Sequence, residues 1–173
     1  HMNTNATAST DTSGTGNSGT LEGGMDCTGV LGNLSGGCDF DGINDYINIS
    51  AFEIGDLTSM SVSFWIYPNM PVWTGNEGLI GIGPNTQRSF WLYGEQSART
   101  MYGNFVTTDT NCGITPETVP QSWNHVVFTY NGTGCDAFIN GVWNGSSAGN
   151  GEILNDTGIA YIGYIDAYDY INA

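Results

Sequence analysis

The sequence predicts an all-β protein built as a two-sheet antiparallel sandwich. Three observations carry that expectation: short segments in which apolar and polar residues alternate, turn residues between them at close intervals, and no sustained helical repeat. The 173 residues include 26 glycines and are 12% aromatic. A chain of that length suits one domain and can bury a real hydrophobic core.

The elements follow in order. Residues 3–24, NTNATASTDTSGTGNSGTLEGG, hold almost no apolar anchors. Composition alone predicts disorder there, or a loop ordered by something other than a core. INDYINIS (43–50) sets Ile43, Asp45, Ile47 and Ile49 against Asn44, Tyr46 and Asn48, a period of two. AFEIGDL (51–57) has room for one helical turn and little more. MSVSFWIYP (60–68) places Met60, Val62, Phe64 and Ile66 on one face and Ser61, Ser63, Trp65 and Tyr67 on the other. GLIGIG, RSFWLYG, TMYGNFV, WNHVVFTY, CDAFING and IAYIGYI then arrive in turn, each β-branched or aromatic-rich and bounded by turn formers. NGTG (131–134) signals a hairpin, and Asn140-Gly141 meets the positive-φ demand of a type I′ turn. Trp65 and Trp123, inside strand motifs, are expected in the core. Neither an internal repeat nor a second domain is visible.

The formal net charge is −15, with Arg88 and Arg99 as the only basic side chains besides histidine. Such a chain repels phosphate backbones and anionic membrane surfaces, so nucleic acid and membranes are not the expected partners. No window of about 20 apolar residues offers a membrane span. No signal peptide is visible, and His1-Met2 reads as a cloning remnant.

Cys27, Cys38, Cys112 and Cys135 lack C-x-x-C spacing, which argues against zinc or a thioredoxin-like pair. They allow three disulfide connectivities, of which the nearest-neighbour one joins Cys27 to Cys38 and Cys112 to Cys135. Glycosylation sequons stand at Asn5, Asn33, Asn48, Asn131, Asn144 and Asn155. Together these point to an oxidising, extracellular or cell-surface location.

Three motifs carry a family resemblance. DTSGTGNSGTL (11–21) looks like the D-x-S-G-x-G-N-x-G-T-L loop of laminin-G-like, concanavalin A-like jelly-roll modules. CDFDGINDYINI (38–49) resembles their F-D-G-x-x-D-Y-V hairpin. SWNHVVFTYNGTGCDAFINGVWNGS (122–146) resembles their W-x-H-V-A-x-T-Y-D-G…Y-V-D-G-V hairpin pair. The resemblance implies a jelly-roll domain over residues 11–173, after a polar segment at 3–10. The family's first apolar strand and its last strand, G-x-I-D-D-V, find no counterpart. Either these two strands have been trimmed away or a sheet edge is open to a strand-complementing partner chain, and the sequence does not choose between them.

Candidate chemistry lies in the polar loops and the aromatic residues. Asp39 and Asp41 are expected opposite Phe40 in a strand, with Asp45 making an Asx-type bond at the turn. Calcium, which wants six to eight oxygens, is common in the resembled family and is the candidate cofactor. Asp11 and Asn17 are its first candidate ligands, with Asp45 and Asp166 behind them. No glycosidase-type E-x-D-x-x-E or E-x-D-x-E motif occurs, nor a G-x-S-x-G elbow. His125 lacks a nucleophile partner and is expected to be structural. The chain is therefore not expected to be an enzyme.

Trp91 and Tyr93 share one strand face, opposite Phe90 and Leu92. Trp73, Trp143, Tyr102, Tyr164, Tyr168 and Tyr170 fall in or near turns. Rings stacked on sugars and flanked by amides would make a glycan site. The candidate ligand-binding set is Trp91, Tyr93, Tyr102, Trp143 and Tyr164. The leading expectation is a non-catalytic glycan-binding or adhesion module of a larger protein, binding a glycan or a cell-surface protein. The alternative is a protein-interaction or spacer module using its open edge or acidic loops. A glycoside-active enzyme stands third.

Overall fold

A computed structural model describes residues 2–5, 8–83, 88–154, 157–165 and 169–170. Side chains of residues 2–5, 157, 169 and 170 lie outside the description, as do Asn155, Asp166 and Tyr168 entirely. The described residues form strands, bridges and turns with no helix, arranged as two antiparallel sheets. The larger sheet takes β1 (Met2–Asn5), β2 (Ala8–Asp11), β3 (Gly19–Glu22) and β4 (Tyr46–Glu53), then β13 (Thr157–Ile162). It continues through β6 (Glu77–Ile82), β7 (Phe90–Gly94), β8 (Met101–Phe105) and β9 (Cys112–Ile114). A short β14 (Asp169–Tyr170) joins β6 in parallel. The smaller sheet runs β12 (Val142–Ala148), β11 (Gly134–Ile139), β10 (Asn124–Tyr130) and β5 (Met60–Ile66).

The predicted sandwich is thus observed, and buried and half-buried positions alternate along β7 and β10. Ile47 and Ile49 point inward from β4, Phe90 and Leu92 from β7, and Val126 and Phe128 from β10. Phe90 packs on Phe105 at 4.8 Å and edge-on to Phe128 at 6.0 Å between ring centroids. Phe128 comes from the opposite sheet and sits over Gly103, where a Cβ would overlap its ring. A glycine in mid-strand weakens a sheet locally, but here it lets a large ring approach the backbone. The Cys112–Cys135 disulfide ties β9 to β11, one strand from each sheet. Cys27–Cys38 closes a local loop. The connectivity is the nearest-neighbour one.

Several local expectations are corrected. Residues 3–24 are not loop throughout: they supply β1, β2 and β3. Strand pairing draws on backbone N–H and C=O groups, which a polar sequence has as fully as an apolar one. AFEIGDL makes no helical turn; its first residues extend β4, and Ala51 adopts φ 63° where the pairing with β13 shifts register. Trp65 is 38% exposed, on the outer face of the smaller sheet, because Phe64 and Ile66 take the inward positions. There it stacks on His125 at 4.9 Å, and His125 Nε2 lies 2.9 Å from Ser63 Oγ. Trp123 is half-buried, edge-on to Tyr67. The buried indole is Trp73, 2% exposed, against Gly94.

Both hairpin expectations hold. Asn140 and Gly141 take φ 52° and 78°, as a type I′ turn requires. At the preceding turn Asn131 Oδ1 accepts from the N–H groups of Thr133 and Gly134, both at 3.0 Å.

Gly103→Ala tests the ring-over-glycine contact. Overpacking of this kind costs about 1–3 kcal/mol, to be read as a lower urea midpoint with an unchanged slope. An unchanged midpoint would mean that Phe128 is free to move.

Candidate functional site

Register pairing sets one row of residues across the larger sheet, on the face turned away from the core. It runs Thr20, Asn48, Tyr161, Gly81, Trp91, Asn104 and Gly113. Trp91 and Tyr93 stack at 5.4 Å with planes 7° apart. Tyr102, on the next strand, lies 5.2 Å from Trp91 and 5.6 Å from Tyr93. All three rings are half-buried. Asn104, 5% exposed, sits against the indole: with its side-chain amide turned end for end to satisfy both neighbours, its oxygen accepts from Trp91 Nε1 at 3.1 Å and its nitrogen donates to the Cys112 carbonyl at 3.2 Å. A side chain at Gly113 would overlap the Tyr102 phenol, so glycine there makes room for the ring.

A second aromatic group sits along the same face. Tyr46, Tyr161 and Tyr164 meet pairwise at 5.5–5.9 Å. Tyr161 and Trp91 are two strand spacings apart, about 10 Å. Between them β6 presents Gly78 and Gly81, and the chain at Tyr164–Ile165 crosses above these glycines. Ile165, 1% exposed, fills the gap. The face is therefore two aromatic groups joined by a backbone crossing.

Residues 41–170 match Laminin_G_3, described as the concanavalin A-like lectin/glucanases superfamily. The chain belongs to this family. Among solved structures, this laminin G-type module is similar to domains LG4-5 of the mouse laminin alpha1 chain, with TM-score 0.61 and 10% identity. That match covers 78% of this chain and 38% of the laminin chain. The module is also similar to domain 4 of AbnA, a GH43 extracellular arabinanase from Geobacillus stearothermophilus, in complex with arabinotriose. There the TM-score is 0.57 and the identity 13%, over 88% of this chain and 70% of that one. These identities establish a shared fold and no more. A search of curated protein sequences finds no match.

Of the five aromatic candidates in the laminin G-type module, Trp91, Tyr93 and Tyr102 come together. Tyr164 joins the neighbouring group. Trp143 does not: it lies on the far face of the smaller sheet, 58% exposed, with its indole N–H donating to Asp136 at 3.0 Å. Tyr46, Tyr161 and Asn104 were not singled out from sequence. Tyr46 had a signal, its place on the polar side of INDYINIS, whereas Tyr161 depends on long-range pairing and Asn104, opposite Trp91 on the β7–β8 hairpin, reads in sequence as an ordinary polar strand residue.

The polar candidates serve their own turns. Asp11 Oδ1 accepts from the Ser13 N–H at 2.7 Å, and Oδ2 from the Asn17 N–H and the Thr15 hydroxyl, each at 2.9 Å. These bonds, those with Ser13 foremost, hold its carboxyl well below the usual carboxylate range. Asn17 contributes its N–H, and its side-chain amide donates to Thr15 at 3.1 Å rather than presenting an oxygen. In the CDFDGINDYINIS stretch, residues 38–40 are not in a strand, because β4 begins only at Tyr46. Asp41, not Asp45, makes the Asx-type bond, to the Ile43 N–H at 2.8 Å. Asp45 accepts the Asp41 N–H at 3.2 Å, and burial raises its carboxyl above the ordinary range. Among the described residues no three His, Cys, Asp or Glu side chains gather as a metal site. At the Asp11 turn the oxygens beside the carboxylate are the Ser13 and Thr15 hydroxyls, which in this arrangement are engaged in hydrogen bonds within the turn.

The Asp11 turn has a definite acid dependence. A folded pKa below the unfolded value means that its stabilisation is complete above pH about 4 and lost as pH falls through the lower folded value. Asp11→Asn should lower stability at pH 7, speed amide exchange at residues 13–17, and flatten the acid limb of the pH–stability curve. An unchanged acid limb would remove Asp11 from its cause.

Proposed function

We propose that the protein is a non-catalytic, extracellular glycan-binding or adhesion module. Its sugar face lies on the outside of the larger sheet, around Trp91, Tyr93 and Tyr102. The observation that carries this reading is the fixed indole. Trp91 is locked by Asn104 and flanked by two tyrosines, giving a half-exposed aromatic surface that loses little entropy on binding. Pyranose and furanose rings present C–H faces to such surfaces and hydroxyls to neighbouring polar groups.

Charge narrows the glycan class. At −15, the chain disfavours sulfated, sialylated or uronic chains, which would need cationic contacts that two arginines scarcely supply. Neutral glycans fit. The arabinanase domain of the same fold, in complex with the neutral arabinotriose, supports the reading by analogy. The two disulfides support an oxidising location. Calcium was the candidate cofactor; in this reading Asp11 orders the D-x-S-G loop by itself, and sugar binding proceeds without the ion.

A glycan array with and without chelator tests the proposal. Binding to neutral glycans should survive chelation. Trp91→Ala should weaken it by about tenfold or more, within the range of stacking contacts, while Trp143→Ala leaves it unchanged. Binding confined to acidic glycans, or equal loss in both variants, would defeat it.

A further inference from the structure

Among the described residues the smaller sheet ends at β5, which pairs with β10 alone, while the larger sheet extends well beyond it. A cavity of about 580 Å³ opens there. Ile47, Ile80 and Ile162 of the larger sheet form one wall, and Phe64 and Ile66 of β5 form the other. Trp65 lines the same cavity. Phe64 and Ile66 face into the sandwich and Trp65 faces out. A cavity touched by both faces of one strand has to run along that strand's edge.

The rim supports the same geometry. Residues 30–37 fold as a small hairpin, with Gly32 N–H donating to the Ser35 carbonyl at 2.7 Å and Gly37 N–H to that of Val30 at 3.0 Å. The Cys27–Cys38 disulfide anchors it. It holds Leu31 and Leu34 at 87% and 74% exposure beside the opening, and Asp39, exposed, also lines the cavity. Unprotected apolar side chains on a tethered flap, next to an unextended strand edge, are features that a partner covers.

We propose that this edge accepts an extended segment of a second polypeptide, added to β5 as a fifth strand of the smaller sheet. The segment carries small apolar side chains at alternate positions and lysine or arginine at its ends. Added strands gain affinity from main-chain hydrogen bonds and specificity from alternate side chains. Here the inward side chains enter between Phe64 and Ile66 on one side and Ile47, Ile80 and Ile162 on the other. Residues 64–67 of the lining span about 13 Å at about 3.3 Å per residue, room for three or four paired residues. Charge selects the ends: Asp39 lies at the rim of a chain of net charge −15. The same charge disfavours a second copy of this chain as the occupant, since two copies would repel each other.

The probe is the peptide Lys-Val-Thr-Val-Ser-Val-Thr-Val-Lys, tested at low salt by titration calorimetry and by amide exchange at residues 60–66. Two twins accompany it, one with glutamate at both ends and one N-methylated along the pairing edge. Saturable binding is expected, with β5 exchange slowed about tenfold or more and the glutamate twin about tenfold weaker. Asp39→Lys, at an exposed position, should invert the preference between the two charged twins, and Trp91→Ala should leave peptide binding alone. Unchanged β5 exchange at saturation would overturn the proposal. Equal binding of the N-methylated twin would reduce the cavity to an apolar small-molecule site. Concentration-dependent protection of β5 without peptide would assign the edge to a second copy. The glycan face is read separately, so failure here leaves that proposal standing.

Discussion

Everything in this sandwich hangs on the contact between Phe128 and Gly103. The ring enters against the backbone of the opposite sheet at a position where no side chain intervenes, beside Phe90. A disulfide fixes the same two sheets a strand away, from Cys112 to Cys135. With the facing sheets pinned there, register becomes costly to change, because a slip of one residue turns every inward side chain outward. Phe90 and Leu92 are fully buried, so Trp91 and Tyr93 have no freedom but to face out. The aromatic face is the reverse side of the core, and the core determines which rings appear on it.

That coupling explains what could be read from the sequence. Alternation in residues 60–66 separated an apolar face from a polar one, and the apolar face is the inward one. In residues 88–94 it paired Phe90 with Leu92 and Trp91 with Tyr93 but did not say which pair faces the core, since both are apolar. The expectation of a core Trp65 rested on its place in a strand motif and overrode the alternation, which had already given the inside to Phe64 and Ile66. Composition misled at residues 3–24, where strands form through main-chain pairing that no side-chain pattern announces. Of the site, Trp91, Tyr93 and Tyr102 were legible because β7 and β8 are adjacent in sequence and pair directly. Tyr46 and Tyr161 meet only because β13 returns, more than a hundred residues later, beside β4. No local pattern encodes that return.

The acidic composition has a local logic as well. With two arginines against 17 acids, carboxylates cannot all be balanced by cations. Several are satisfied instead by hydrogen-bond donors of their own turns. Asp11 gathers two N–H groups and a hydroxyl, Asp26 accepts from Thr28 N–H and Oγ1 at 2.7 and 2.6 Å, and Asp41 accepts from Ile43. Bonds of this kind to an ionised acceptor are stronger than neutral ones and need no partner side chain. A loop with few apolar anchors can then be ordered from within. Asp45 is the contrasting case, a carboxyl whose burial outweighs the N–H it receives from Asp41.

The two proposed surfaces use different properties of one architecture. The sugar face needs side-chain rigidity, which the filled core behind it supplies through Asn104 and the alternation of β7 and β8. The β5 edge needs the opposite, main chain left unextended and apolar walls left apart, which the mismatch in width between the sheets supplies. Adding a strand to β5 would extend the smaller sheet over the inner face of the larger one, and so would not cover Trp91, Tyr93 or Tyr102 on its outer face. Filling the cavity would also bring more atoms against Ile47 and Ile162, on the strands that carry Tyr46 and Tyr161. A partner at the edge would therefore stiffen the strands beneath the second aromatic group without touching the first. Engagement of a protein partner and of a glycan can thus coexist on one module, linked through the shared inner wall of β4 and β13.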